Sequence, residues 1–221
     1  ESVILFATTM TPLVEGDAPG YQRDSKRYRW VFPPKMNIVV FNLDSKEFAP
    51  LITDDEYYLA EGSWSPDGRY IVYCSLATGS GDIYVADLQT GVSRLIVGDD
   101  GYDGGPFFSP DGKRITYRSD RRGNDLLQLY VSELAFDETG AIVGVEKEYQ
   151  LTDNKHVNWG PFWHPNNRFL IYATSEISHR NYELFVCDAD SGADDGTTRY
   201  GIRKRRITYA DGFDGLPAFD A

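Results

Sequence analysis

A six-residue turn recurs along the chain and constrains its fold more than any other feature. Ser63-Trp64-Ser65-Pro66-Asp67-Gly68 returns as Phe107-Phe108-Ser109-Pro110-Asp111-Gly112 and, more loosely, as Phe162-Trp163-His164-Pro165-Asn166-Asn167. Proline presets φ, and Asp, Asn or Gly accepts the tight or left-handed positions after it, so each copy specifies a reversal between two strands. The segments that follow, residues 69–75, 113–119 and 168–175, alternate apolar with small or polar side chains as half-buried strands do. A third strand is expected at 82–87, 127–133 and 183–188, and a fourth at 93–97, 146–152 and 203–208. Four strands per repeat make a blade. The spacings, 44 residues from Pro66 to Pro110 and 55 from Pro110 to Pro165, are those of a propeller once loop insertions are allowed. With 15 Tyr, 21 Gly and 11 Pro, the composition also favours strands and tight turns over helices.

The two ends of the chain read as one blade. Residues 213–219 repeat the pattern of residues 102–108, the innermost strand of a blade, whereas residues 2–9, 37–42 and 47–53 read as second, third and fourth strands with no first strand before them. Joining the ends would set Asp220-Ala221-Glu1-Ser2 in the recurring turn, so the sequence reads as a whole-number ring cut inside a turn. The expected fold is all-β: a four-bladed β-propeller with four antiparallel strands per blade and one blade shared between the N- and C-terminal segments. It forms a single domain over 1–221, with blades at 1–58 (completed by 213–221), 59–101, 102–156 and 157–212. Trp64, Phe108, Trp163 and Phe219 are then equivalent core positions. Cys74 and Cys187 fall in strands two blades apart, beyond the roughly 7 Å between Cα atoms that a disulfide spans, and are expected as buried free thiols.

Ser119-Asp120-Arg121-Arg122-Gly123-Asn124, preceded by Phe108-Ser109-Pro110-Asp111-Gly112-Lys113 and followed by Leu129-Tyr130-Val131, resembles the repeat of TolB-type propellers, relatives of the WD-repeat family. The resemblance covers nearly the whole chain. It departs in the third repeat, where His164 and Asn166 replace Ser and Asp, and in the split blade, where the motif is absent. It implies an extracytoplasmic setting, whether secreted, cell-surface or periplasmic. The family spans periplasmic partner-binding proteins, propeller caps on serine peptidases and secreted proteins, so the resemblance implies fold more than function.

Charge and motifs narrow the function classes. The excess of 34 acidic over 22 basic side chains, a formal charge of -12, repels phosphate backbones and anionic bilayers, so nucleic acid is not an expected partner. No run of about 18 apolar residues is present, and membrane insertion is not expected. The sequence holds no Gly-x-Ser-x-Gly elbow, no His-Glu-x-x-His or Cys-x-x-Cys pair and no phosphate-binding Gly loop. Ser109 and Asp111 recur blade after blade as turn geometry demands, and acidic pairs such as Asp99-Asp100 sit in Gly-rich connections. The chain is therefore not expected to be an enzyme, and no catalytic residue is assigned.

Three other features carry candidate function. Alignment of the repeats sets Asp103, Asn158 and Asp214 at equivalent starts of innermost strands, with Leu59 in the second blade and Glu61 nearby. Such oxygens either hold Ca²⁺ or another cation in the central channel or cap their own turns; no cofactor is required. Residues 10–36 form a 27-residue connection where the other blades have short polar links, with Arg23, Arg27, Tyr28, Arg29 and Trp30 among its basic and aromatic residues. Arg, Tyr and Trp dominate binding hot spots, so this segment is a partner-binding loop or a cover folded over the channel mouth. Finally, Val3, Ile4, Leu5 and Phe6 lie in a strand expected to pair with Leu216, Ala218 and Phe219. A strand on so long a tether is suited to fill the gap in a neighbour, giving a head-to-tail homopolymer by strand donation. The alternative is a monomeric, cis-closed propeller that binds another protein or a ligand.

Overall fold

The computed structural model describes residues 2–10, 22–24, 27–29, 32–189, 201 and 203–220, and every regular element among them is a β-strand. β1 (Val3–Thr9) is followed by a short hairpin of β2 (Gln22–Asp24) and β3 (Arg27–Arg29), then by β4 (Met36–Asn42) and β5 (Phe48–Ile52). β1, β4 and β5 form a three-stranded sheet in that order. Three four-stranded antiparallel sheets come next, each in sequence order. The second blade is β6 (Leu59–Trp64), β7 (Tyr70–Ser75), β8 (Asp82–Asp87) and β9 (Val92–Val97). The third is β10 (Asp103–Phe108), β11 (Arg114–Ser119), β12 (Gln128–Phe136) and β13 (Ile142–Gln150). The fourth is β14 (Asn158–Trp163), β15 (Phe169–Ser178), β16 (Asn181–Asp188) and β17 (Lys204–Arg206). This succession of antiparallel sheets is propeller-like, and the strands lie close to where the repeat pattern sets them.

The recurring turn is held by side chains that replace missing ladder bonds. Ser65 Oγ donates to Asp67 at 2.5 Å and accepts from Tyr70 N–H at 2.8 Å, while Arg69 N–H donates to Asp67 at 3.0 Å. Ser109 and Asp111 repeat the pattern with Arg114 and Lys113. In the divergent third copy His164 Nδ1 accepts from Asn166 N–H at 3.1 Å, and Asn166 accepts from Arg168 N–H at 2.9 Å. The departure from the motif keeps the bond from the residue after the turn and replaces the serine's two bonds by one to His164. The turn closes on a left-handed residue in each copy, Gly68, Gly112 and Asn167, with φ of 72°, 70° and 62°.

Each innermost strand carries a bulge that the turn pattern does not announce. Register slips between Ala60 and Ser63, Gly104 and Phe107, and Trp159 and Phe162, where Glu61, Gly105 and Gly160 adopt φ of 59°, 59° and 61°. Leu216, at the same place in the last copy, has φ of 53°. The start of each such strand donates its N–H to a carbonyl at the start of the third strand of the preceding blade: Asp103 to Gly81 at 2.7 Å, Asn158 to Leu127 at 3.0 Å and Asp214 to Tyr182 at 2.9 Å.

The C-terminal copy therefore occupies the seat of an inner strand on the fourth blade, where Phe213 bridges Tyr182 in parallel and Phe219 packs on His164 with ring centroids 4.6 Å apart. The expected pairing of this segment with β1 is not formed. β1 pairs with β4 from Val3–Asn42 to Thr9–Met36, and no strand pairs with its other edge among the described residues. The reason is local: the donated N–H and the left-handed residue anchor the segment to the blade before it, with no hairpin partner needed.

One boundary also shifts. The fourth strand of the third blade begins at Ile142, ahead of the expected 146, because Asp137 folds a tight turn by accepting from Thr139 N–H and Ala141 N–H at 2.8 and 2.9 Å, so both strands of the hairpin run on to it. Core clusters lie between successive sheets: Val72, Ile83, Phe108, Ile115 and Tyr117 join the second and third blades, and Leu129, Val131, Trp163, Leu170 and Tyr172 the third and fourth. Cys74 and Cys187 are buried free thiols. Among the four aligned aromatics Trp163 is the most enclosed, 3% exposed, and donates Nε1–H to Phe107 O at 3.2 Å across the blade boundary; Phe108 is also buried, and Trp64 and Phe219 are half-buried. Trp163→Ala removes both this packing and the bond, and is expected to cost about 3–5 kcal/mol of unfolding free energy, read from the midpoint shift in urea denaturation.

Candidate functional site

The starts of the inner strands meet the blade before them through a set of polar side chains, and the repeat allows successive joints to be compared. At the joint of the third and fourth blades the set is Gln128, Asn154 and Asn158. Asn158 Nδ2 donates to Gln128 Oε1 at 3.3 Å and to Asn154 Oδ1 at 2.9 Å, and Asn158 Oδ1 accepts from Thr174 at 2.8 Å and from Asn154 Nδ2 at 3.2 Å. Gln128 Nε2 donates in turn to the carbonyls of Leu126, Asn154 and His156. Both lone pairs of the Asn158 oxygen are engaged, which is the turn-capping arrangement for this position.

At the joint of the second and third blades all three amides are replaced by acids. Asp82 starts β8 as Gln128 starts β12, Asp103 starts β10 as Asn158 starts β14, and Asp99 precedes Asp103 by the interval separating Asn154 from Asn158. Carboxylates cannot donate to one another, so a cation enters from the same blade. Arg121 reaches Asp99 at 2.9 Å and Asp103 Oδ1 at 3.3 Å, binds Glu148 at 2.5 Å, and lies 4.1 Å over the Tyr130 ring. Asp82 accepts from the Thr78 hydroxyl. Asp103 is fully enclosed, 0% exposed, and its Oδ2 has no hydrogen-bond partner. Burial pushes its carboxyl above the usual range, against the pull of Ser119 and Arg121.

Asp214 takes the equivalent backbone position but is half-buried, and Leu59 supplies no oxygen in the second blade. Among the described residues, no group of three or more His, Cys, Asp or Glu could hold a metal ion. The expected trio thus shares a structural position while differing in environment: an acid beside Arg121, a saturated amide, and a half-buried acid.

Glu61 holds a place that the sequence reading only skirted. It is the left-handed residue of β6, and its carboxylate crosses to the third blade, accepting from the Tyr102 hydroxyl at 2.5 Å and Gly105 N–H at 2.8 Å and pairing with Arg118. Arg118 Nη2 also donates to the Tyr102 oxygen at 2.9 Å. A Cβ on Gly104 would collide with the Tyr102 hydroxyl, and one on Gly105 with the Arg118 guanidinium, so the paired glycines make room for this ion pair. The Gly-Gly pair was its only sequence signal.

Above Tyr102 sits Phe32, with ring centroids 5.3 Å apart and nearly stacked, and Phe32 also meets Tyr58 edge-on at 5.0 Å. The long insertion therefore ends on an aromatic plug at the inner-strand starts. Arg23, Arg27, Tyr28 and Arg29 lie in its β2–β3 hairpin, and Trp30 lies outside the described residues. In the candidate donor strand, Val3 and Ile4 are 40% and 47% exposed, while Leu5 and Phe6 are half-buried. On the other side, Leu216 is 71% exposed and Ala218 is exposed. These side chains are left exposed or half-buried because no strand lies against the outer edge of β1 among the described residues. No described helix is long and apolar enough to cross a membrane.

Comparison with known proteins follows the same repeat. The model of the TolB beta propeller domain matches residues 17–143, more than half of the chain. The Tol-Pal system protein TolB of Francisella tularensis subsp. holarctica is 33% identical over 98 residues, which are 44% of this chain and 22% of that protein. Dipeptidyl-peptidase 5 of Porphyromonas gingivalis is 38% identical over 112 residues, covering 45% of this chain and 16% of that one. The chain spans about a fifth of the length of these curated relatives. Among solved structures, a putative TolB from Agrobacterium tumefaciens is similar in fold, with a TM-score of 0.62 and 21% identity over 82% of this chain and 59% of that one.

The acid set at the second joint has a consequence for stability. A carboxyl whose pKa is raised by folding favours the fold while protonated and loses that contribution as pH rises through its folded value. Asp103→Asn, which copies Asn158, is expected to raise the thermal midpoint at pH 7 and above, with the gain shrinking as pH falls through the ordinary Asp range. A pH series of calorimetric melts reads this, and a variant less stable than the parent at neutral pH would contradict it.

Proposed function

The chain belongs to the TolB beta propeller domain family, and from that premise we propose that it is a non-enzymatic, extracytoplasmic protein-binding module. The extracytoplasmic setting is drawn from the family resemblance. Binding is the reading the geometry supports best because one observation separates this chain from a bare scaffold. A basic and aromatic insertion, absent from the other blades, is pinned by Phe32 to Tyr102 and Tyr58 where the inner strands start. Next to Phe32 the Glu61, Arg118 and Tyr102 cluster ties two blades together, so the end of the insertion is held on a rigid base. On a protein of formal charge -12, a cationic hairpin offers a local contact for an acidic protein surface. Replacing Arg23, Arg27 and Arg29 together by Ala is expected to abolish cross-linking of the protein to its partner, while circular dichroism and the thermal midpoint stay at parental values. The same cross-linked product recovered from both proteins would sink this assignment of the binding surface.

A second reading, self-assembly into a head-to-tail filament, draws on the outer edge of β1, unpaired among the described residues, and the exposed segment around Leu216. In this form an inner strand from one copy lies beside β1 of the next. A four-bladed ring closed within one chain requires β1 to come alongside residues 213–219 while these keep their seat on the fourth blade, as β10 and β14 pair with β11 and β15 while attached to the blade before them. Filaments in negative stain that are lost on deleting residues 2–9, and capped by a peptide of that sequence, are the expected outcome for donation. A monodisperse full-length protein at high concentration rules it out.

A further inference from the structure

At the opposite ends of the inner strands, where the recurring turns lie, two equivalent clefts separate the blades and only one is filled. Between the third and fourth blades, Arg114 crosses the boundary. Its Nη1 donates to Ala189 O at 2.7 Å and its Nη2 to Asn167 O at 3.1 Å, and the guanidinium lies 4.6 Å over the Trp163 ring. Two carbonyls and an aromatic face thus make a seat for one planar cation.

The repeat builds the same seat between the second and third blades. Tyr70 stands where Arg114 stands, since both N–H groups donate to the turn serine, at 2.8 and 3.0 Å. Phe108 replaces Trp163. Gly112 replaces Asn167, both left-handed with φ of 70° and 62°. Leu134 replaces Ala189, each donating N–H to the residue after the turn at 2.9 Å. Tyr70 brings no guanidinium to this seat. Tyr70 sends its hydroxyl aside to Gly140 O at a long 3.5 Å, and the cleft left open has a volume of about 680 Å³, with Phe108, Gly112 and Leu134 in its wall. That size suits a side chain or small ligand. Asp67, Asp111 and Glu146 stand at its lining and are exposed. Of the cations at its lining, Arg69 is bound to Asp87 at 2.7 Å, Arg114 is engaged with Ala189 O and Asn167 O in the filled cleft, and Lys113 follows Asp111 on the same turn.

We propose that this cleft binds an arginine side chain presented by a partner polypeptide, seated as Arg114 is seated one blade further on. The occupant is identified by the chain's own template and by the acidic rim on a protein of formal charge -12. The site lies at the other end of the inner strands from Phe32, on which the insertion ends, and does not depend on the insertion being a binding surface.

The test titrates the isotope-labelled protein with N-acetyl-arginine amide, using the lysine and citrulline analogues as controls and following backbone amide shifts. Saturable shifts centred on Gly112 and Leu134 are expected, with the lysine analogue roughly five- to tenfold weaker because an ammonium makes neither the planar stack nor the two-carbonyl fork, and citrulline weaker still. Tyr70→Arg supplies the missing guanidinium from within and is expected to abolish binding. Should that variant not fold, Glu146→Lys at an exposed position is expected to weaken arginine binding severalfold. Equal responses to arginine and lysine, no saturable shift at these amides, or undiminished binding by the folded variants overturns the proposal, whatever the fate of the hairpin variants.

Discussion

The structure depends on how an innermost strand attaches to the blade before it. Each attachment uses one backbone donor, from Asp103, Asn158 or Asp214, and one left-handed residue two positions on. The bulge displaces the register, so the strand can serve its own hairpin at one end and the neighbouring blade at the other. Glycine takes the position at 105 and 160 without steric cost, whereas Glu61 and Leu216 hold φ near +60° despite a Cβ. At Glu61 the strained residue is held by three donors from the next blade, so strain and inter-blade bonding are parts of one arrangement.

Because the attachment is made by backbone, the side chains around it are free to differ from joint to joint. Between the third and fourth blades neutral amides complete one another; between the second and third, Asp99, Asp103 and Glu148 gather around Arg121. The same divergence appears at the turn face, where Arg114 fills one cleft and Tyr70 leaves the other open. The fold is repeated, and the chemistry is not. In this chain the second joint collects the departures: the acid set, the open cleft and the Glu61 ion pair all lie between the second and third blades. Phe32, at the end of the basic insertion, stacks on Tyr102 at that same joint.

Much of the fold was legible because turn chemistry is local. Ser-Pro-Asp-Gly dictates its reversal through hydrogen bonds spanning at most five residues, and strand alternation reports burial on one face, so the strands were found to within a few residues. The exception, β13, starts early because the Asp137 turn, through its bonds to Thr139 and Ala141, carries both strands of the hairpin on to it, and that turn lies outside the recurring repeat. The candidate site was less legible. Asp103 and Asn158 align perfectly in sequence, yet one is an enclosed acid beside Arg121 and the other a saturated amide, since Arg121, Asn154 and Gln128 come from other strands and loops.

The sequence by itself determined an all-β chain of repeated four-stranded sheets, the position of its turns, the family it belongs to and the unusual insertion, because each rests on spacing and on side chains bonding to near neighbours. Only the tertiary structure decided which strand the last segment joins, which clefts are open and which acids meet a cation. Residues 213–219 match an inner strand whether they close a ring or extend an arc; contacts with Tyr182, Gly160 and His164 set them on the fourth blade. Those choices rest on groups brought together from distant parts of the chain, and no local pattern records them.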